Sequence, residues 1–550
     1  MKKNFCRFLP SPILSFTKYL SLFFLCFSLI IACNQAPQNS PSSTSTSSEG
    51  GRITVGTTLK PRTIDPADSY ELSGTNIIYN LSNTIYSYKL GTTELEPQLA
   101  TEMPEVSEDG LTYTIPVREG VTFHDGTPFN AEAMVFSLER FLKNGGKPSF
   151  LLSDTIDTVE ATGDYELTIK LKKPFSGFPA LLAYSGTCAV SPKAYEIGAG
   201  KFKPSSFIGT GPYKLAEFSN DLIRFDVFED YWGEKPANEG ADMQVYSSNS
   251  ANLFNSFRTG EIDVAYRSLD PNQIKSLREQ GEKGDFQVFE ASGTAVSYMV
   301  LNLQQEPLDK LEVRQAIAAM LDRSLFNQRV LQEQGEPLYS LVPTAFDAYE
   351  PAFEEAYGDG NYEQAKKLLQ EAGYSPEKPA TVELWYPSGS NIRESVASTL
   401  RALAERELDG ALVFEPKSVE SATAFSNLPK GIYPSFLVDW YPDFLDADNY
   451  LQPFLDCAKG SEDKGCQEGA AQNQGSFFYS DRVNELIDQQ RQEQDVTKRE
   501  AIFVEIQEIL AEQVPYLPLW QSKDYAFAQN GVEGVTMNPS QNFPLWTVNK

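Results

Sequence analysis

The chain has 550 residues, too many for one hydrophobic core, so two or three lobes are expected. Hydrophobic residues make up 41% and charged residues 22%, the balance of a soluble globular protein. Against 75 Asp and Glu there are only 46 Lys and Arg, and a net charge of −29 repels phosphate backbones, which argues against nucleic acid as a partner. Tyr, Phe and Trp reach 12%, enough for several aromatic cores and an aromatic-lined cleft besides.

Residues 1–32 read as a secretory signal rather than as part of a fold. Lys2, Lys3, Arg7 and Lys18 precede an apolar run from Leu20 to Ala32, which is too short to span a bilayer comfortably. The run ends Leu29-Ile30-Ile31-Ala32-Cys33, which resembles a bacterial lipobox. That resemblance implies cleavage before Cys33, a lipid on its sulfur and anchorage at a membrane surface. Residues 33–50, rich in Ser and Thr, form the expected flexible tether.

Arg52 to Gly56 is the first predicted strand, alternating and β-branched. Leu111–Val117 is a second, after the turn signal Glu108-Asp109-Gly110. Asn130 is placed to cap a helix whose apolar face is Met134, Val135, Leu138, Phe141 and Leu142. Tyr165–Leu171 is again a strand. Helices are expected at Val313–Val330, Tyr362–Ala372, Glu394–Glu407 and Asp481–Glu512, with Gly373 at a C-cap. No repeat of fixed period interrupts this mixture, so the pattern implies a multi-lobed α/β protein. Of the cysteines beyond Cys33, Cys457 and Cys466 stand nine positions apart and read as a local disulfide in an oxidising compartment. A zinc site would need two more ligands, and Cys188 reads as a buried small hydrophobe.

The segment LTYTIPVREGVTFHDGTPFNAEAMVFSLER, Leu111 to Arg140, closely resembles the signature of the bacterial extracellular solute-binding proteins of family 5, the oligopeptide- and dipeptide-binding proteins of ABC importers. Further stretches agree in the family's order: Gly209-Thr210-Gly211-Pro212-Tyr213, Asp230-Tyr231-Trp232-Gly233, Gly260-Glu261-Ile262-Asp263, Leu301-Asn302, Val313-Arg314-Gln315-Ala316 and Ala372-Gly373-Tyr374. The resemblance runs from about residue 51 to about 535. It implies an α/β two-lobed periplasmic-binding-protein clamp with an additional family-specific domain. One binding lobe would comprise residues 51–87, 205–290 and 512–550, the extra domain 88–204 and the other binding lobe 291–511. The hinge would lie near 290 and 512, and closure would be a rigid-body swing.

The resemblance also implies a cargo of short peptides passed to ABC permease subunits and their ATPases, from the periplasmic or extracytoplasmic face of the cell membrane. A monomer without cofactor or resident metal is expected. In Trp440-Tyr441-Pro442-Asp443, Asp443 matches the family acid that accepts a peptide's α-ammonium. The following Phe444-Leu445-Asp446 departs from the family pattern. Arg393 stands roughly where dipeptide-binding relatives place a carboxylate-binding arginine, and its fork suits that role. Trp385, Tyr386 and Trp440 are candidates for side-chain pockets. Some dipeptide-binding relatives carry a cross-link comparable to Cys457–Cys466. The same transport role with a metal chelate, oligosaccharide or opine is the alternative. An exported hydrolase is the rival from another class, and its catalytic histidine would have to be His124, the single histidine of the chain. In its turn between strand and helix His124 reads instead as structural, and no catalytic residue is assigned.

Overall fold

The computed structural model describes residues 51–550 apart from Ser248 and Ser268; the expected signal, the tether and Cys33 lie outside the described residues. The organising feature is an 11-stranded sheet. From one edge its order is Leu412–Val419, Ala380–Pro387, Ser435–Trp440, Gln287–Leu301, Tyr516–Ala528, Val264–Tyr266, Ile53–Thr57, Gly240–Val245, Leu222–Val227 and Tyr213–Phe218. Gly335–Pro337 adds to Tyr516–Ala528 off this path.

Each half of the sheet carries three parallel strands. In one, Ala380–Pro387 lies parallel to both Leu412–Val419 and Ser435–Trp440. In the other, Ile53–Thr57 lies parallel to both Gly240–Val245 and Val264–Tyr266. The halves are joined by the two long antiparallel strands Gln287–Leu301 and Tyr516–Ala528. Their register is interrupted between Ser292 and Val296 and again between Ser297 and Tyr298. On one side of these interruptions Val296–Leu301 and Tyr516–Trp520 pack into a core that takes in residues 296–520. On the other side Ala526 and Ala528 pack with Ile53, Val55, Ile223 and Val264. A third core, from Ile85 to Ala189, contains the antiparallel sheet Glu105–Val106, Thr112–Pro116, Glu166–Leu171 and Ile156–Gly163.

Local sequence explains most of these elements. Asn130 accepts from the Ala133 N–H at 2.9 Å and starts the helix Ala131–Lys143, a cap contributing about 1 kcal/mol. Met134, Leu138 and Phe141 are the part of its apolar face that is fully buried. Arg140, on the same helix, forks onto the buried Asp65 carboxylate at 2.8 and 2.6 Å and so fastens the third core to the segment after the first strand. The Gly209-Thr210-Gly211 turn is a close approach: a Cβ on Gly211 would sit 2.5 Å from backbone atoms of Leu81 and Ser82. Cys188 is free and buried.

Two expected helices prove to be pairs. Val313–Val330 is Leu311–Met320 followed by Arg323–Arg329. Leu321 turns extended and Asp322 caps the second helix through the Leu325 N–H at 2.8 Å. The break aims Arg323 inward, where it donates to the Pro518 carbonyl at 2.9 Å and pairs with Asp359 at 3.1 Å. Asp481–Glu512 likewise divides into Asp481–Gln492 and Val496–Gln513, with Asp495 capping the second. No Gly or Pro marks either break; a capping acid overrides the continuous apolar stripe.

Candidate functional site

A cleft of about 660 Å³ is lined by residues from segments far apart in the chain. Its wall includes Tyr70 and Thr75 from the chain after the first strand, Tyr88 and Tyr184 from the segment that builds the third core, and Tyr441–Leu445 from the loop after the strand Ser435–Trp440. Arg267, Lys523, Asp524 and Gln541 complete the polar part. Tyr441–Leu445 leaves the C-terminal end of the parallel strand Ser435–Trp440, and Arg267 leaves the C-terminal end of Val264–Tyr266. These are equivalent positions in the two half-sheets, each beside one of the joining strands. Carboxyl ends of parallel strands are where open α/β sheets bind ligands.

Asp443 faces this cleft. One carboxylate oxygen accepts from the Tyr70 hydroxyl at 2.6 Å, a contact between residues 373 positions apart. Its backbone N–H donates to Asn449 Oδ1 at 2.9 Å. Burial raises its pKa above the ordinary carboxylate value, with the Tyr70 and Asn449 hydrogen bonds opposing. Burial and the adjoining carboxylate push the Tyr70 hydroxyl far up, so it stays a donor. Among the described residues no cation lies within ion-pair distance of Asp443, whereas its neighbours in sequence are all paired. Asp439 meets Arg393, Asp446 meets Arg499 at 2.7 Å and Asp448 meets Arg491 at 2.6 Å.

Those pairs also account for the departure after Asp443. Phe444 enters the third core against Phe175, their ring centres 5.9 Å apart. Leu445 N–H donates to the Tyr88 hydroxyl at 2.9 Å, and Asp446 is gripped by both arms of Arg499. The loop is therefore held from the third core on one side and from the helix Val496–Gln513 on the other. Asp443 is presented at its tip.

The other sequence candidates are placed differently. Arg393 begins the helix Asn391–Glu407, donates to Asp439 and to Ser390 Oγ, and lies outside the cleft wall. Trp385 donates to Glu383 at 2.9 Å and packs on Tyr433; Tyr386 is buried beside it in the strand Ala380–Pro387. Trp440 packs against Phe454, and its indole N–H is buried without a partner. None of the three aromatics lines the cleft. Tyr70, Tyr184 and Tyr441 do, and sequence reasoning missed them because nothing local sets them apart from the other tyrosines. Cys457 and Cys466 are joined by a disulfide across the hairpin Cys457–Ser461 and Gly465–Gly469. His124 is not in the cleft. Its Nε2 lies 3.1 Å from the Gly211 carbonyl and its Nδ1 accepts from the Gly209 N–H at 3.3 Å.

The comparisons with known proteins agree with this architecture. The dipeptide-binding protein of Escherichia coli K12 is 27% identical over 495 residues, 84% of this chain and 87% of its own length. Heme-binding protein A of Haemophilus influenzae is 28% identical over 548 residues, 93% and 95% of the two chains. Among solved structures, HbpA2 of Haemophilus parasuis superposes with a TM-score of 0.79 at 22% identity, covering 91% of this chain and 99% of that one. The two-lobed binding-protein fold is thereby shared. The model for bacterial extracellular solute-binding proteins, family 5 middle, matches residues 94–462, more than half of the sequence, and the chain belongs to that family.

Proposed function

We propose that this protein captures short peptides on the outer face of a bacterial cell membrane and hands them to an ABC permease. The carrying observation is Asp443, a cleft-facing carboxylate without a cation beside acids that all have one. What short peptides share at one end is an α-ammonium, and a fixed, partly desolvated acid is its receptor. Aromatic walls and a cleft of several hundred Å³ suit varied side chains, with water filling what they leave. The peptide-binding relative supports the same cargo. The segments 51–87, 205–290 and 512–550 would move against 291–511, with 88–204 as the extra domain. The interrupted register of the two joining strands supports a hinge there. The Leu29–Cys33 motif supports a lipid anchor.

Titration calorimetry of free and N-acetylated Ala-Phe, Leu-Leu and Ala-Ala-Ala, on wild type and Asp443→Asn, tests the reading. Removing one partner of a buried ion pair costs about 3 to 5 kcal/mol, or about two to three and a half orders of magnitude in affinity. Acetylation should do similar damage to the wild type and little more to Asp443→Asn. Equal binding of acetylated and free peptides by the wild type would move a non-peptide cargo to the front.

A further inference from the structure

The proposed ammonium site lies in the cleft wall, and a zwitterion also needs a cation there. Two cations line the wall. Lys523 is engaged by Glu290 at 2.5 Å. Arg267 is placed otherwise. It follows the strand Val264–Tyr266 as Asp443 follows the equivalent strand of the other half-sheet, and both residues line the cleft. Its Nη2 donates to Asp524 at 2.5 Å and its Nη1 to Gln541 Oε1 at 3.2 Å. Its Nε–H is buried with no partner. A buried guanidinium donor without an acceptor is costly, and this one sits in the wall of a ligand cleft.

The backbone supplies a second, independent sign. Arg267 has φ +57° and Gln541 φ +63°, and among the described cleft-lining residues these are the two non-glycines in the left-handed region. They touch one another. Side-chain-bearing residues are held there only when surroundings compel it, and such strain gathers at ligand clamps. Tyr266 Oη donates to the Gln541 carbonyl at 2.9 Å and Asn76 Nδ2 does so at 2.9 Å, which fixes the Gln541 side of the contact. Asp524 and Gln541 thus hold the guanidinium plane and, among the described residues, leave its Nε–H without an acceptor. Arg393 offers no such donor to the cleft, being engaged by Asp439 outside the wall.

We infer that Arg267, not Arg393, receives the carboxylate of a zwitterionic ligand whose ammonium sits at Asp443. The inference rests on the peptide reading above and adds to it a second anchor and a limit on ligand length. A peptide short enough for both charges to be met at once is the preferred class. A longer one keeps the ammonium contact and loses the other.

The same three peptides, as free acids and as C-terminal amides, are titrated into wild type, Arg267→Gln, Arg267→Lys and Arg393→Gln. A charge-assisted hydrogen bond predicts that amidation weakens the best wild-type ligand about ten- to hundredfold. Arg267→Gln should bind acid and amide alike, Arg267→Lys should recover part of the discrimination, and Arg393→Gln should keep it. Because Arg267→Gln strands Asp524, the double variant Arg267→Gln/Asp524→Asn is measured beside it, and the wild-type comparison needs no variant at all. Equal wild-type affinity for acid and amide overturns the inference. So does discrimination that survives in Arg267→Gln and vanishes in Arg393→Gln. If acetylation weakens binding and amidation does not, the peptide reading stands and Arg267 alone is refuted. If none of the peptides binds, both fall.

Discussion

His124 offers a clean test of how the Gly209–Tyr213 turn is held, because no other histidine shares its signal. Its ring is buried against Phe228, ring centres 5.1 Å apart, with one nitrogen at the Gly211 carbonyl and the other accepting from Gly209. That geometry uses the neutral ring, a donor on one side and an acceptor on the other. Burial lowers the pKa from 6.5 to about 4, with nearby Lys214 adding to the effect and the Gly211 contact and Asp125 opposing. The unfolded chain therefore takes up a proton that the folded chain refuses. Stability from this group is complete above pH 6.5 and declines as pH falls toward the folded value. Between pH 7 and 4.5 the loss is about 2.5 kcal/mol.

The assay is urea unfolding of wild type and His124→Gln at both pH values. The difference between the two proteins should shrink or reverse by about 2.5 kcal/mol at the lower pH, since carboxylate titrations are common to both and cancel. Proton NMR of the single imidazole should show no titration near pH 6.5. A wild-type ring that titrates at 6.5 or above, or a stability difference independent of pH, would refute the neutral buried assignment. The grip of this turn on Leu81 and Ser82 would then need another source.

Three further outcomes are expected. Asp443→Asn should melt above the wild type without ligand at pH 7, by differential scanning calorimetry, since a carboxyl with a raised folded pKa lowers stability when ionised and the amide still accepts from Tyr70; an unchanged or lower melting temperature contradicts this. Cys457→Ala/Cys466→Ala should lose about 2.5 to 3 kcal/mol by the loop-entropy relation while ligand affinity stays, the hairpin lying outside the cleft wall; equal denaturation midpoints would oppose it. Cys33→Ser should release the protein from membranes or leave the leader uncleaved, read by fractionation and N-terminal sequencing, and correct processing with membrane retention would exclude a lipid anchor there.

Fold class was legible in the sequence because it rests on local pattern and ordered motifs. The Asn130 cap, the strand ending near Val117 and the helix face at Met134 and Leu138 all depend on spacing within one element. The two broken helices were not legible, since Asp322 and Asp495 resemble any surface acid until Arg323 and Arg499 are seen turning inward. Asp443 was singled out by its distance from Trp440, and the structure puts it in the cleft wall. Arg267 was not: its partners stand 257 and 274 positions away, and no local pattern marks an arginine at a strand end. Trp385 and Trp440 pack on Tyr433 and Phe454, while the cleft takes tyrosines from distant segments.

Four aspartates between positions 439 and 448 look alike on paper, and three of them are neutralised by arginines from other segments. A partly desolvated acid with no such partner among the described residues destabilises the ligand-free protein, and its raised pKa records that penalty. Under the proposed peptide reading, a ligand ammonium would remove the penalty in a closed cleft, where Tyr70 also meets Asp443. In an opened cleft the same carboxylate would be hydrated and would have less to gain. The ligand would then favour the closed form by the difference, which is what a binding protein requires to signal its loaded state to a permease. Pairing Asp443 with a fourth arginine would stabilise the fold and remove that bias.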